Sequence, residues 1–189
     1  MITSTDKDNI DPSQVSWVFG YGSLMWRPDF PFEETCPALL QGYHRSACIL
    51  STQYRGTPQS PGLVLGLEPG GTCHGRAFRL TPALRPAIVA KVRERELITG
   101  VYHERLLPVA LNDGRSVEAL CYVADPAHPQ FRGGLALGEA ARLVRHGRGT
   151  QGAARDYLAS CVAHLEDLNV SDPALHQLLR AVDALGESP

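Results

Sequence analysis

Two features of the chain have residue types and spacing suited to chemistry. The first is the run Tyr21-Gly22-Ser23-Leu24, which follows the strand-like stretch Ser16-Trp17-Val18-Phe19-Gly20-Tyr21. A Gly-Ser turn at a strand end exposes backbone N–H groups and lets a ligand approach the main chain. Such donors suit a carboxylate or an oxyanion. An ordinary glycine turn after a core strand has the same spacing, and spacing alone leaves both readings open. The second feature is Glu96. On a helix with Leu84 at zero, Ile88, Val92 and Val89 fall at about 40°, 80° and 140°. Glu96 falls at about 120°, inside that apolar sector, and Glu94 at about 280°, on the opposite face. An inward carboxylate is costly unless paired, and burial raises its pKa toward neutrality. That is the state a general acid/base needs. A salt bridge, or a frayed helix end that lets Glu96 reach water, would account for the pattern as well.

Other chemistries find no support. Gly20-Tyr21-Gly22-Ser23-Leu24-Met25 begins like a dinucleotide fingerprint, but Met25 stands at the third glycine and Pro28 interrupts the helix that should follow. The seven histidines and five cysteines show no zinc-ligand spacing, and His103-Glu104 lacks a second histidine. Ser23 lacks the G-x-S-x-G frame of a hydrolase elbow. Neither a metal nor a cofactor is expected.

The elements that must position these residues read as α+β, with strands in the first two-thirds and helices in the last third. Residues 1–14 are expected to form a flexible arm, and 15–189 a single domain. A strand is expected from Arg45 to Leu50, then a polar loop over residues 53–62. A hairpin is expected from Leu63–Leu67 and His74–Leu80, turning at Glu68-Pro69-Gly70-Gly71. Thr81-Pro82 opens a helix that runs to about Ile98, with Pro86 delaying its start. A second hairpin, Glu104–Leu111 and Ser116–Val123, turns at Asn112-Asp113-Gly114. Helices follow from about residue 136. One ends at Gly147, one carries Tyr157, Leu158, Cys161, Val162, Leu165 and Leu168, and the last opens at Asp172-Pro173 with Leu175, Leu178, Leu179, Val182 and Leu185 on one face.

A chain of 189 residues buries roughly 70% of its unfolded surface and needs no disulfide staple. Its formal charge of −2 argues against a general nucleic-acid or anionic-membrane binder. No apolar run approaches the roughly 20 residues of a membrane helix. The polar start lacks the pattern of a secretion signal. Five cysteines without a CxxC read as free thiols in a reducing cytoplasm.

The chain resembles the ChaC-type γ-glutamylcyclotransferases. The resemblance is carried by Val18-Phe19-Gly20-Tyr21-Gly22-Ser23-Leu24-Met25-Trp26-Arg27-Pro28, by Gln41-Gly42-Tyr43-His44-Arg45, and by Tyr54-Arg55-Gly56-Thr57 with Pro61-Gly62. Arg95-Glu96-Leu97 followed by Gly100-Val101-Tyr102, and Asp156-Tyr157-Leu158, complete it. It spans about residues 16–185 in one order. The resemblance implies a cyclotransferase fold, a small, strongly bent mixed sheet or partial barrel with helices around it. It implies cleavage of γ-glutamyl peptides, chiefly glutathione, to 5-oxoproline and cysteinylglycine, without a cofactor. The family's catalytic glutamate falls on Glu96, and the loop Tyr21, Gly22, Ser23, Leu24 would grip the γ-glutamyl end. Tyr54, Arg55, Tyr102 and Tyr157 are further candidates for holding substrate. Two departures bear on substrate preference: many relatives have Pro-Gly-Arg where this chain has Pro61-Gly62-Leu63, and many have Asn where it has Ala154.

The implied reaction suits these residues. The substrate's α-amine attacks its own γ-carbonyl, so no Ser or Cys nucleophile is required. Holding an attack conformer supplies much of the rate. One carboxylate of raised pKa can take a proton from the amine and return it to the leaving amine. Two other readings stand beside this one: a cyclotransferase for another γ-glutamyl compound, and a non-catalytic binding or regulatory module.

Overall fold

The structure is a computed structural model, and it describes residues 10–186. Strands β1 (Trp17–Gly20), β2 (Phe32–Ser51), β3 (Gly62–Leu80), β4 (Tyr102–Leu111) and β5 (Ser116–Ala124) close into a barrel in the order β1-β3-β2-β4-β5. The ring is completed by parallel pairing of β1 with β5 at Val18 and Leu120; the other neighbouring pairs are antiparallel. Helix α1 (Arg85–Glu96) joins β3 to β4. After the barrel come α2 (Leu137–His146), a small hairpin of β6 (Arg148–Gly149) and β7 (Gly152–Ala153), α3 (Ala154–Asp167) and α4 (Pro173–Ala184).

Alternation along the strands divides the core. Val18, Phe78, Leu80, Leu120 and Tyr122 pack with Ile88, Val89 and Val92 of α1. Their neighbours Phe19, Ala77, Ala119, Cys121 and Val123 join the cluster that takes in α2, α3 and α4. Successive strand residues point to opposite faces, so each strand serves both clusters. α3 buries Tyr157, Leu158, Cys161, Val162 and Leu165 as its stripe predicts. α4 buries Leu175, Leu178 and Val182, whereas Leu185, one residue past its end, is 44% exposed.

The first expected hairpin is not formed. β3 runs unbroken from Gly62 to Leu80 and pairs along its length with β2, which starts at Phe32 rather than Arg45. The polar loop 53–62 is the true connection. Gly70 and Gly71 do take positive φ (97° and 71°), but they bend the strand instead of reversing it. Gly42 on β2 also has positive φ (84°), and the register slips between Gln41 and Tyr43. Paired kinks of this kind are β-bulges, which increase curvature and help a ribbon wrap into a barrel. The second hairpin forms as expected, with Gly114 at φ 89°. α1 stops at Glu96, two residues earlier than expected.

Within the segment expected to be an arm, residues 1–9 lie outside the described residues. Of residues 10–14, Ile10 is buried against the α1 cluster and its carbonyl accepts from Arg93 Nη2 at 2.8 Å, while Pro12–Gln14 form a 3-10 turn whose Ser13 and Gln14 are exposed. No helix among the described residues is long and apolar enough to cross a membrane.

All five cysteines are free and buried. Burial pushes the Cys48 and Cys161 thiols up to about 12 and Cys73 to about 11. Cys36 is the least covered at 9% exposure; burial, then the neighbouring Glu34 carboxylate, hold its thiol protonated. Thiolate reactivity follows pKa and access. The native protein should therefore take up less than about one equivalent of maleimide at neutral pH in the time that denatured protein takes up five. Rapid multiple labelling of native protein, read by intact mass, would contradict this burial.

Candidate active site

α1 is tied to β4 by an ion pair three residues before Glu96. Arg93 Nε donates to both Glu104 oxygens at 2.9 and 3.0 Å, and Tyr122 donates to Glu104 Oε1 at 2.9 Å. With Ile88, Val89 and Val92 buried, the next inward position along the helix is Glu96. Its side chain is 17% exposed, and Glu94 points to solvent, as the helical wheel requires. The described residues give Glu96 one charged partner, Arg95, whose Nε lies 3.2 Å from Oε1. Burial raises the Glu96 pKa, and the Arg95 charge partly opposes it. The C-terminal end of a helix adds to the rise, because its dipole disfavours an anion there.

The Tyr21–Leu24 run ends β1 and enters a single 3-10 turn, Ser23–Met25. Met25 N–H donates to Gly22 O at 2.9 Å, and Arg27 N–H to Ser23 O at 2.8 Å. Among the described residues, the N–H groups of Gly22, Ser23 and Leu24 meet no backbone acceptor. Gly20 and Gly22 have no room for a side chain. A Cβ at Gly20 would lie 2.9 Å from Leu24 Cβ, and one at Gly22 would lie 2.9 Å from Tyr157 Oη.

A cavity of about 140 Å³ brings these parts together. It is lined by all nine residues expected from the sequence: Tyr21, Gly22, Ser23, Leu24, Tyr54, Arg55, Glu96, Tyr102 and Tyr157. The phenols differ in what they can offer. Tyr21 donates to Tyr122 O at 2.9 Å and Tyr102 to Leu65 O at 2.7 Å. Both protons are thus committed to the backbone, leaving oxygen lone pairs that suit an ammonium better than a carboxylate. Tyr157 stands over Gly22, with the Arg55 guanidinium 5.4 Å from its ring centroid. Burial raises all three phenol pKa values well above the ordinary range, so the rings stay neutral. Arg55 Nη1 donates to Gln151 O and Ala153 O, which ties it to β7 and its turn.

Backbone packed on backbone holds the Tyr54-Arg55 loop. Thr150 and Gln151 N–H groups donate to Gln53 O and Tyr54 O, both at 2.9 Å. A Cβ on Gly62 would lie 2.1 Å from Arg55 O, and one on Gly147 2.3 Å from Gly62 Cα. The departures at Leu63 and Ala154 sit beside this seam. Both are fully buried in the main core, and neither lines the cavity.

Sequence reasoning missed Arg95 as a site residue. Its Nη2 donates to Ser23 Oγ at 2.5 Å and its Nη1 to Arg27 O at 2.6 Å, and Asp29 Oδ2 is 3.2 Å away. One side chain therefore ties the loop to the carboxylate. Its place next to Glu96 is visible in the sequence, but Ser23 is 72 residues away and nothing local links them. Removing a cation beside a carboxylate raises that carboxylate's pKa. Arg95→Leu should therefore move the acidic limb of kcat/KM to higher pH. An unmoved limb in a folded variant would remove Arg95 from the control of Glu96.

The barrel is that of the γ-glutamylcyclotransferases. It superposes on the crystal structure of a glutathione-specific γ-glutamyl cyclotransferase from yeast with a TM-score of 0.83 at 21% identity, covering 89% of this chain and 96% of that one. The chain belongs to the ChaC-like protein family, whose model matches residues 16–185. It is 37% identical over 169 residues to the glutathione-specific γ-glutamylcyclotransferase of Escherichia coli K12, covering 89% of this chain and 73% of that one. It is 32% identical over 178 residues to the protein of the same name from Schizosaccharomyces pombe, covering 82% and 87%.

Proposed function

We propose that this protein is a γ-glutamylcyclotransferase that converts glutathione to 5-oxoproline and cysteinylglycine, with Glu96 as its acid/base. The observation that carries the reading is one buried carboxylate of raised pKa in the same cavity as three backbone N–H groups that meet no backbone acceptor among the described residues. Glu96 takes a proton from the substrate's α-amine as that nitrogen attacks the γ-carbonyl. A five-membered ring closes, negative charge develops on the carbonyl oxygen, and the C–N bond to cysteine breaks. Glu96 then returns the proton to the departing amine. The N–H groups of Gly22, Ser23 and Leu24 hold either the α-carboxylate or the developing oxyanion, and fixed donors of this kind stabilise charge without reorganising. The lone pairs of Tyr21 and Tyr102 suit the N–H groups of the α-amine; Tyr157 and Arg55 supply donors for a substrate carboxylate. The relatives in Escherichia coli and Schizosaccharomyces pombe carry names that specify glutathione, and the two departures from the family pattern lie off the cavity wall.

The test is an end-point assay. Purified protein without added metal is incubated with millimolar glutathione, and 5-oxoproline is measured by mass spectrometry. Product at levels above a protein-free control supports the reading. Its absence with folded protein, followed by product from another γ-glutamyl compound, would replace glutathione as the substrate.

A further inference from the structure

The Arg45 side chain is 3% exposed, against 17% for Glu96, and it does not line the cavity. Its guanidinium is shared among three elements. Nη1 donates to Tyr21 O at 2.7 Å, Nη2 donates to His74 O at 2.7 Å, and Nε faces Asp172 Oδ2 at 3.3 Å. Asp172 also caps α4, because its Oδ1 accepts from Leu175 N–H. Stability gives a weak reason for such a residue, because a well-packed apolar side chain in place of a buried ion pair is often neutral or stabilising. The orientation of one peptide gives a stronger one. Tyr21 and Gly22 are joined by a trans peptide. In a trans unit the C=O and N–H point in opposite directions. Fastening Tyr21 O to Arg45, behind the loop, therefore turns the Gly22 N–H the other way, and Gly22 is a residue of the cavity wall.

We infer that Arg45 is a positioning residue that fixes the Tyr21–Gly22 peptide so that its N–H faces substrate, and that Asp172 at the start of α4 holds Arg45 in that pose. This rests on the reading of the loop as the part that grips the γ-glutamyl group. It makes the C-terminal helix, which contributes nothing to the cavity lining, a support of the site through one guanidinium.

Arg45→Met removes all three bonds with little change of bulk. Asp172→Asn keeps an oxygen for the cap but removes the charge that holds Arg45. Both are compared with wild type and with Glu96→Gln for kcat, KM and pH profile, corrected for the fraction folded from thermal melts. Folded Arg45→Met should lose at least about tenfold in kcat/KM, since small misplacements at a reacting centre cost up to about 10²-fold. Its acidic limb should stay at the wild-type pH, because Arg45 does not touch Glu96. A merely structural role would leave kcat/KM per folded molecule unchanged. Folded Arg45→Met within threefold of wild type overturns the proposal. If Arg45→Met does not fold, Asp172→Asn decides: a loss of threefold or more supports it, and no loss overturns it. An impaired Arg45→Met beside a fully active Glu96→Gln would overturn the acid/base assignment and leave the role of Arg45 standing.

Discussion

Glu96→Gln is expected to lower turnover of glutathione by about 10²–10⁴-fold, the range general acid/base groups contribute, while making the protein more stable at neutral pH. Gln keeps the size and hydrogen-bonding shape of Glu but can neither take nor return a proton. The second effect follows from the raised pKa. The folded protein holds the Glu96 proton more tightly than the unfolded chain does. That preference contributes stability below the unfolded pKa, and the contribution is lost as pH rises through the folded pKa. Above that point the buried anion is a net cost, which Gln removes. The melting temperature of Glu96→Gln should therefore exceed that of wild type at pH 7–8, and the gap should close as the pH falls below the ordinary carboxylate range. A variant that keeps turnover within a few-fold of wild type would end the assignment of Glu96. A variant that is inactive and also less stable at pH 7–8 would mean that Glu96 mainly holds structure.

Gly62→Ala is expected to be strongly damaging for so small a substitution. The new methyl would lie 2.1 Å from Arg55 O and 3.1 Å from Ala154 Cβ, and the first of these is backbone that has no rotamer to yield. Either the 53–56 loop or the 147–153 segment must move, and both are bonded to each other through Thr150 and Gln151. Overpacking of this kind costs about 1–3 kcal/mol or more. The shift also carries Tyr54 and Arg55 away from the cavity. Turnover per folded molecule should fall by at least about 10²-fold, as misplacement of substrate-holding groups does. Gly138→Ala is the matched control. It sits in the first turn of α2 with its nearest neighbour 4.0 Å away, so it should be neutral or slightly stabilising. Gly62→Ala that behaves like Gly138→Ala, by thermal melt and assay, would show that the seam is soft.

Parts of this protein were legible in the sequence because short-range chemistry wrote them. The Asn112-Asp113-Gly114 turn, the Asp172 cap and the stripe of α3 are each decided within a few residues. So was the inward pointing of Glu96, which needs only the helical period. The pairing of β2 with β3 was not. Pro69-Gly70-Gly71 has the composition of a turn, yet Pro69 pairs with Tyr43 across the ribbon. A bulge and a turn call for the same residues, and only a partner some 26 positions away separates them. The site divides in the same way. All nine expected residues line the cavity, drawn from a strand end, two loops, a helix end, a strand and α3. Arg95 and Arg45, although part of the segments that carry the resemblance, show no site role in the sequence, because their work is defined by partners 72 and 24 residues distant. An arginine in a sequence shows its charge and not its correspondents.

The buried cysteines have a consequence for the proposed reaction, whose substrate is itself a thiol. Such a protein meets its substrate's oxidised form as well, and mixed disulfides form only when a thiolate attacks a disulfide it can reach. All five sulfurs are buried, and burial, then the Glu34 carboxylate, hold the least covered of them, Cys36, protonated. On the proposed reading, the protein acts on glutathione without offering a thiolate to the exchange chemistry in which glutathione takes part. Its turnover is then expected to follow the amount of reduced tripeptide presented to it, and to stay unchanged when the ratio of reduced to oxidised tripeptide is varied at fixed reduced concentration.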